Sequence, residues 1–137
     1  MKDSTISLLR ERESAWAREK RLLATSEEIE LFEREYGKIH PEYVPYLREV
    51  GYATVGSEYF DRLPELRKSI RKGDGYRGPD SPGKMGECFI FHWDGCGNPV
   101  GISWKDSKIY VDDDVYGMGM CLSDSLDDYV TELLNEK

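Results

Sequence analysis

The sequence predicts a single α+β domain in which N-terminal helices pack on a mostly antiparallel sheet and a last helix closes the chain. Three observations support this prediction. Apolar residues recur with helical spacing in the first half, alternate as in a β-meander over about residues 86–112, and return to helical spacing near the end. With 137 residues, the chain has the length of one domain and can bury a core without disulfides or metals. We therefore expect residues 1–137 to form one domain.

Two helices are predicted before residue 38. The first covers residues 4–22, where charges interrupt a thin apolar seam, so we expect residues 1–24 to be a peripheral helix. The second begins after Thr25, because Thr25 and Glu28 have the spacing of a capping box, in which each side chain bonds the other residue's backbone amide. Gly37 is expected to end it.

A third helix is expected from near Pro41 to Gly51. Pro45 predicts a kink or a later start there, because proline lacks the amide that an inner turn of a helix needs. Residues 52–60 predict a brief strand and a turn. A short helix that ends at Gly73 follows, with the apolar positions Leu63, Leu66 and Ile70.

The middle of the chain predicts strands. Residues 73–84 are rich in glycine, proline and aspartate and are expected to form a loop. Apolar alternation then covers 88–93, 100–104 and 109–111, separated by polar turns. In the first turn, Asp94-Gly95-Cys96-Gly97-Asn98, aspartate and asparagine can cap their own backbone while the glycines adopt positive φ.

The end of the chain predicts one more helix. Residues 112–122 indicate an acidic, glycine-rich connection, after which Ser123 or Ser125 can cap the helix. Its apolar stripe consists of Leu126, Tyr129, Val130, Leu133 and Leu134. Trp93 and Trp104 fall in phase with the apolar strand positions, which favours the core over an exposed interface anchor.

Charge is unevenly distributed along the chain. Residues 1–72 are neutral overall, whereas residues 73–137 hold the whole net charge of −8. Such a surface repels phosphate backbones, so we expect no nucleic-acid partner. It suits a basic protein partner, or it serves solubility alone. The candidate contact residues are Asp112, Asp113, Asp114, Tyr76 and Asp80; for the three adjacent aspartates a solvated loop and a cation site are the alternatives.

The residues predict no enzyme, metal or cofactor. His92, Asp94 and Cys96 share a strand parity, but a catalytic triad needs convergence rather than a row. A metal-dependent nuclease site at Asp80 and Glu87 lacks the lysine that its pattern requires two positions after the second acid. Three cysteines without paired spacing indicate neither disulfides nor zinc. An apolar segment long enough for a membrane span or a signal peptide is missing, so the cytoplasm is the expected compartment.

Four segments in order resemble the SUKH superfamily, the Smi/Knr-like proteins: IELFEREYGKIHPEYVPYLREVG, the FIFHWDGCGNPVGISW strand-turn-strand, the KIYVDDD strand, and the closing SLDDYVTELL. The resemblance covers residues 26–134. It implies a non-enzymatic protein-binding domain, and for many bacterial members an immunity protein that neutralises a toxin, often a nuclease, by direct binding. A regulatory or scaffolding module is the alternative that the family implies. Oligomeric state does not follow from the resemblance, and a monomer is assumed.

Overall fold

In the computed structural model, helices from both ends of the chain pack on a four-stranded antiparallel sheet. The structure describes residues 1–11, 23–51, 54–55, 58–72, 88–94, 97–113 and 118–135. Its described helices are α1 (Asp3–Glu11), α2 (Ser26–Tyr36), α3 (Val44–Glu49), α4 (Leu63–Lys72) and α5 (Leu126–Asn135). Its described strands are β1 (Thr54–Val55), β2 (Glu58–Tyr59), β3 (Cys88–Trp93), β4 (Pro99–Ser103), β5 (Ile109–Asp113) and β6 (Met118–Ser123).

The sheet is a meander with the spatial order β3-β4-β5-β6, and each strand runs antiparallel to the next. Phe89 lies opposite Ile102, and Val100 lies opposite Val111. The short strands β1 and β2 form a separate hairpin. The prediction of a single α+β domain with a meander and a closing helix is thereby confirmed.

The meander has a fourth strand that the sequence did not predict. Residues 112–122 were expected to be a connection, but β5 continues to Asp113 and β6 begins at Met118. Although Met118, Met120 and Leu122 alternate along β6, two glycines fall in or beside it, so its local strand propensity is weak. The segment is nevertheless a strand, because its backbone forms hydrogen bonds with β5.

A bulge in β3 organises the aromatic core. The register with β4 shifts between Ile90 and His92, so Phe91 and His92 together face one residue of β4. Both rings consequently reach the same neighbours: the Phe60 ring lies 4.9 Å from Phe91 and 5.4 Å from His92, and the Tyr129 ring lies 6.3 and 6.2 Å from them. The core therefore joins β3 to the β2–α4 connection and to α5.

The predicted later start of the third helix is confirmed. Residues 41–43 form a turn and α3 begins at Val44, which places Pro45 in the first turn, where no amide is needed. Tyr43, just before the helix, is fully buried, and its ring lies 5.4 Å from Phe89 and 5.2 Å from Phe91. The turn therefore anchors α3 on the sheet.

The N-terminal helix is more deeply packed than a peripheral element. Ile6 and Leu9 of α1 are buried in the core, and α1 contacts both α3 and α5. The Asp127 carboxylate of α5 accepts hydrogen bonds from the Lys2 amide at 2.8 Å and from the Thr5 hydroxyl at 2.5 Å. The described part of the predicted 1–24 segment thus joins the two ends of the chain, a long-range contact that periodicity does not reveal.

The predicted helix caps agree with the structure. Thr25 and Glu28 form both bonds of the capping box at 3.1 Å, and Gly37 follows α2 with φ 127°. Of the two serines proposed to cap the last helix, Ser125 does so, because its hydroxyl accepts from the Asp128 amide at 3.0 Å. The short helix predicted from Leu63, Leu66 and Ile70 is α4.

Candidate partner-binding surface

Two of the five predicted contact residues lie in the described part of the chain. Asp112 and Asp113 are the last residues of β5, opposite Gly119 and Met118 of β6. They are paired strand residues, which corrects the expectation of an acidic loop at these two positions. Asp114, Tyr76 and Asp80 lie outside the described residues.

Acidic residues are concentrated around β5, β6 and α5. Between residues 109 and 135 the sequence has seven acidic residues and no lysine or arginine. β6 pairs with β5, and α5 starts directly after β6 and extends over the sheet, where Tyr129 packs against Phe91 and His92 of β3. The negative charge therefore begins beside β6 and continues along the exposed side of α5.

The outer side of α5 presents this charge to solvent. Its inner side is buried and consists of Leu126, Tyr129, Val130 and Leu133. Asp128 and Glu132 are exposed and lie four residues apart, the spacing that aligns side chains along one side of a helix, and the exposed Asp124 lies two residues before α5. We call these three residues the acidic face.

The acidic face is only weakly compensated by the described residues around it. The Lys108 ammonium lies 3.9 Å from the Asp124 carboxylate, whose side chain is 82% exposed, so this ion pair is screened by water. The Ser123 hydroxyl donates to Glu132 at 2.7 Å and orients that carboxylate without neutralising it. The face thus keeps most of its negative potential.

Asp127, the remaining carboxylate of the first turn of α5, has a structural role. Burial opposes its ionisation, but the hydrogen bonds from Thr5 and Lys2, together with the N-terminal ammonium and the Lys2 side chain, hold its pKa below the usual value. Because this carboxylate is bonded to α1, we do not count it in the acidic face.

The strand beside the acidic face has an open edge. β6 is an outer strand of the sheet and contains no charged residue or proline. Met120 is 42% exposed, and Cys121 is also exposed. The opposite outer strand, β3, is buried along almost its whole length, and the Asp61 amide donates to the Phe91 carbonyl at 2.9 Å. The two edges of the sheet therefore differ in how open they are.

A buried carboxylate with a perturbed pKa lies near the other edge. Burial, and secondarily the charge of Glu65, raise the pKa of Asp61 from 3.8 to about 7. The Tyr43 hydroxyl donates to the Asp61 backbone carbonyl at 2.5 Å, and burial raises the pKa of Tyr43. Carboxylates with a perturbed pKa occur in active sites and also in purely structural positions. Here both residues are buried where α4 joins the core, which favours a structural role.

The His92–Asp94–Cys96 row does not form a triad in the described residues. His92 is buried among aromatic rings, whereas Asp94 closes the β3–β4 turn by accepting the Asn98 amide at 2.8 Å. Cys96 lies outside the described residues. Gly97 in this turn has φ 81°, as the turn interpretation predicts. Within the described ranges, no three His, Cys, Asp or Glu residues are grouped to hold a metal ion.

His40 is a buried residue whose role the sequence did not indicate. Its Nδ1 accepts from the Glu42 amide at 3.1 Å, and its ring lies 4.8 Å from that of Trp104. Burial lowers its pKa, so the neutral form is favoured. Trp104 and Trp93 are half-buried and pack against the core, so they are neither fully buried core residues nor fully exposed interface anchors.

Two surface clefts occur among the described residues. One of about 310 Å³ is formed by α3 residues Val44, Pro45, Arg48 and Glu49. The other, about 250 Å³, has an apolar floor that includes Leu23, Leu47 and Leu63. Its charged rim residues are used locally, since Glu28 belongs to the capping box and Arg62 donates to Glu65 at 2.9 Å. Neither cleft groups residues for catalysis.

Helix α2 is a second acidic element, which the net charge of residues 1–72 did not reveal. Helix α2 has five glutamates and one arginine, yet the first 72 residues are neutral. The neighbouring α4 is basic, and its Arg67 lies 5.9 Å from the centre of the Tyr36 ring of α2. Charge counted element by element would have found α2, and the structure adds that the basic α4 lies beside it, whereas α5 itself has no lysine or arginine.

Comparison of the chain with protein-family models, with curated proteins and with solved structures gives no match. Within the described ranges, none of the helices has the length and apolar character needed to cross a membrane.

Proposed function

We propose that this chain is a non-enzymatic protein-binding domain of the SUKH, or Smi/Knr-like, type that acts as an immunity protein. It neutralises a cognate bacterial toxin with a basic surface, such as a nuclease, by binding the toxin directly through the acidic face. It does so in the cytoplasm, as a monomer and without a metal or cofactor. The α+β fold with a meander and a closing helix supports this proposal.

The observation that carries the proposal is the uncompensated negative charge around α5. Asp124, Asp128 and Glu132 are exposed together, with Lys108 as a distant partner. A potential of one sign over such a patch steers a partner of the opposite sign and accelerates association. Nucleases present basic groups to the phosphates of their substrate. The acidic face can therefore take the place of that substrate.

The test is a growth assay in which this chain is co-expressed with the product of the neighbouring gene. We expect that product alone to arrest growth and the wild-type chain to restore it. A first triple variant neutralises the acidic face with Asp124→Asn, Asp128→Asn and Glu132→Gln. A matched second one removes three exposed charges from α2 with Glu27→Gln, Glu30→Gln and Glu35→Gln.

Both variants change the net charge equally, so they separate the position of the charge from its amount. We expect the acidic-face variant to lose rescue and salt-sensitive binding, and the α2 variant to retain both. Equal rescue by the two variants would exclude the acidic face as the binding surface. Failure of the wild type to rescue, with several weak endogenous partners instead, would favour a regulatory or scaffolding module.

A further inference from the structure

The outer edge of β6 is open as far as the described residues go. In an antiparallel strand, every second residue directs both its N–H and its C=O away from the neighbouring strand. β5 pairs with one side of β6, and among the described strands none pairs with the other. Met120 and Cys121, near the middle of β6, are exposed. The edge thus offers backbone donors and acceptors that an added strand can use.

The usual protections of a strand edge are mostly missing from β6. Proteins protect such edges with lysine, proline, a covering element or a bulge. The sequence of β6, MGMCLS, has no charged residue or proline. Its bulge lies at Leu122, opposite Ile109 and Tyr110, and leaves Met118–Cys121 in regular pairing with β5. β3, in contrast, is buried and bonded to Asp61. The open edge is therefore specific to the side of the sheet that carries the acidic face.

We propose that the outer edge of β6 binds an extended, basic segment of the protein partner as a fifth strand of the sheet. The inference rests on the proposed function in that it requires a protein partner. Strand addition of this kind takes its affinity from backbone hydrogen bonds and its specificity from the flanking side chains.

The surrounding charge selects the occupant. The acidic face begins directly after β6, at Asp124. A lysine- or arginine-bearing strand is attracted to this face, whereas a second copy of this chain brings the same face and a net charge of −8. Two copies of like net charge repel each other, so the charge favours a basic segment over edge-to-edge dimerisation.

The experiment uses the full chain and a labelled ten-residue peptide in which lysine and valine alternate. Its control has the same sequence with four central amides N-methylated, which preserves charge and side chains but removes donors on both edges. We expect fluorescence anisotropy to show binding at low salt that the methylated peptide weakens by about tenfold or more. Hydrogen exchange should slow for amides within Met118–Leu122 when the unmodified peptide is bound.

A pair of variants locates the contact on the chain. Met120→Lys places a positive charge on the open edge, and Leu31→Lys places the same charge on α2, where Leu31 is 58% exposed. We expect Met120→Lys to weaken peptide binding by about tenfold and Leu31→Lys to leave it unchanged. The wild-type exchange measurement decides the matter if Met120→Lys does not fold.

Equal binding of both peptides would overturn the inference, because attraction would then come from charge alone. Exchange protection on helices instead of β6, or a dimer formed through β6 without peptide, would overturn it as well. The growth assay is independent of these results. If the wild-type chain does not rescue growth but the peptide protects β6, the immunity proposal alone is rejected. If the wild-type chain rescues growth but the peptide does not protect β6, strand addition alone is rejected.

Discussion

At the scale of single residues, Gly101 lies where the neighbouring strand leaves no room for a side chain. A Cβ atom added there would lie 2.9 Å from the Cβ of Cys88 and 3.0 Å from both the Ile90 side chain and the Phe89 carbonyl oxygen. A backbone carbonyl in a paired strand cannot move away cheaply. We therefore expect Gly101→Ala to lower the free energy of unfolding by about 1–3 kcal/mol, as measured by urea denaturation.

Gly97 provides the control for this substitution. Its added Cβ would meet no described atom within 4 Å, but its φ of 81° disfavours most side chains. Asparagine tolerates this conformation, so we expect Gly97→Asn to change the free energy of unfolding by less than about 0.5 kcal/mol. A Gly101→Ala protein as stable as Gly97→Asn would contradict the close packing at Gly101.

Asp61 makes stability depend on pH. Because its pKa rises from 3.8 to about 7 on folding, the folded chain binds more protons than the unfolded chain between about pH 4 and 7. This group's contribution to stability therefore decreases as the pH rises through that window. We expect Asp61→Asn to be more stable than the wild type at pH 8 by about 2–4 kcal/mol, with the advantage vanishing near pH 3.

The measurement is thermal unfolding of both proteins from pH 3 to 8, with Glu65→Gln as the control. Burial is the larger cause of the Asp61 shift and Glu65 the smaller, so Glu65→Gln should keep most of the pH dependence. His40, whose pKa is lowered, acts in the opposite direction by losing its contribution as the pH falls, but it is common to all three proteins. An advantage of Asp61→Asn that is constant with pH would exclude ionisation as its cause.

What the sequence predicts at this scale depends on the range of the interaction. Thr25 and Glu28 are three residues apart, so their mutual bonds are visible in the chain itself. Asp61 is buried beside Tyr43 and near Phe91, partners 18 and 30 positions away along the sequence. Gly101 is constrained by the neighbouring strand in the same way. Such positions become special only after the sheet has formed.

At the scale of elements, Asp127 is the link between the first and last helices. Its hydrogen bonds to Lys2 and Thr5 join α1 to α5. We expect Asp127→Ala to destabilise the chain by about 1–3 kcal/mol, because two donors lose a charged acceptor. Hydrogen exchange should become faster in α1 before it does in β3 and β4, since α1 then loses part of its attachment.

Asp128→Ala is the matched control for the helix end. Both substitutions remove one negative charge from the first turn of α5, so their effects on the helix dipole are similar. Any difference between them reports the bonds to α1. Equal exchange rates in α1 for the two variants would mean that Ile6 and Leu9 hold this helix without help from Asp127.

The elements that the sequence predicts are those with strong local patterns. Helices α2, α4 and α5 combine a cap or stop residue with a complete apolar stripe, and they lie where they were expected. β6 was missed because acidic residues and glycines dominate residues 112–122, which hid the alternation of Met118, Met120 and Leu122, and because the strand also depends on pairing with β5. The bulge in β3 was missed for the same reason, and it places Phe91 and His92 together in the core.

At the scale of the whole molecule, the acidic residues of α2 and of α5 have different neighbours. The glutamates of α2 lie beside the basic helix α4, whereas the carboxylates of α5 have no lysine or arginine on their own helix. Composition placed the net charge in the C-terminal half, but the fold decides that part of it is exposed beside β6 and along α5. This step from a charged half-chain to a charged surface needs the sheet order, which the sequence does not provide.

The last prediction separates stability from binding at this edge. Neutralising Asp124, Asp128 and Glu132 relieves the repulsion between Asp128 and Glu132, which lie four residues apart on α5, but it also removes favourable charge near the start of the helix. These effects oppose each other, so we expect the free energy of unfolding to change by less than about 0.5 kcal/mol. The rate of association with a basic partner should nevertheless fall and lose most of its dependence on salt, because long-range steering by this patch is gone. Stopped-flow association at several salt concentrations measures this, with the α2 variant of equal net charge expected to behave like the wild type. A rate that falls equally in both variants would show that net charge steers the partner, and the acidic face would then have no special part in binding.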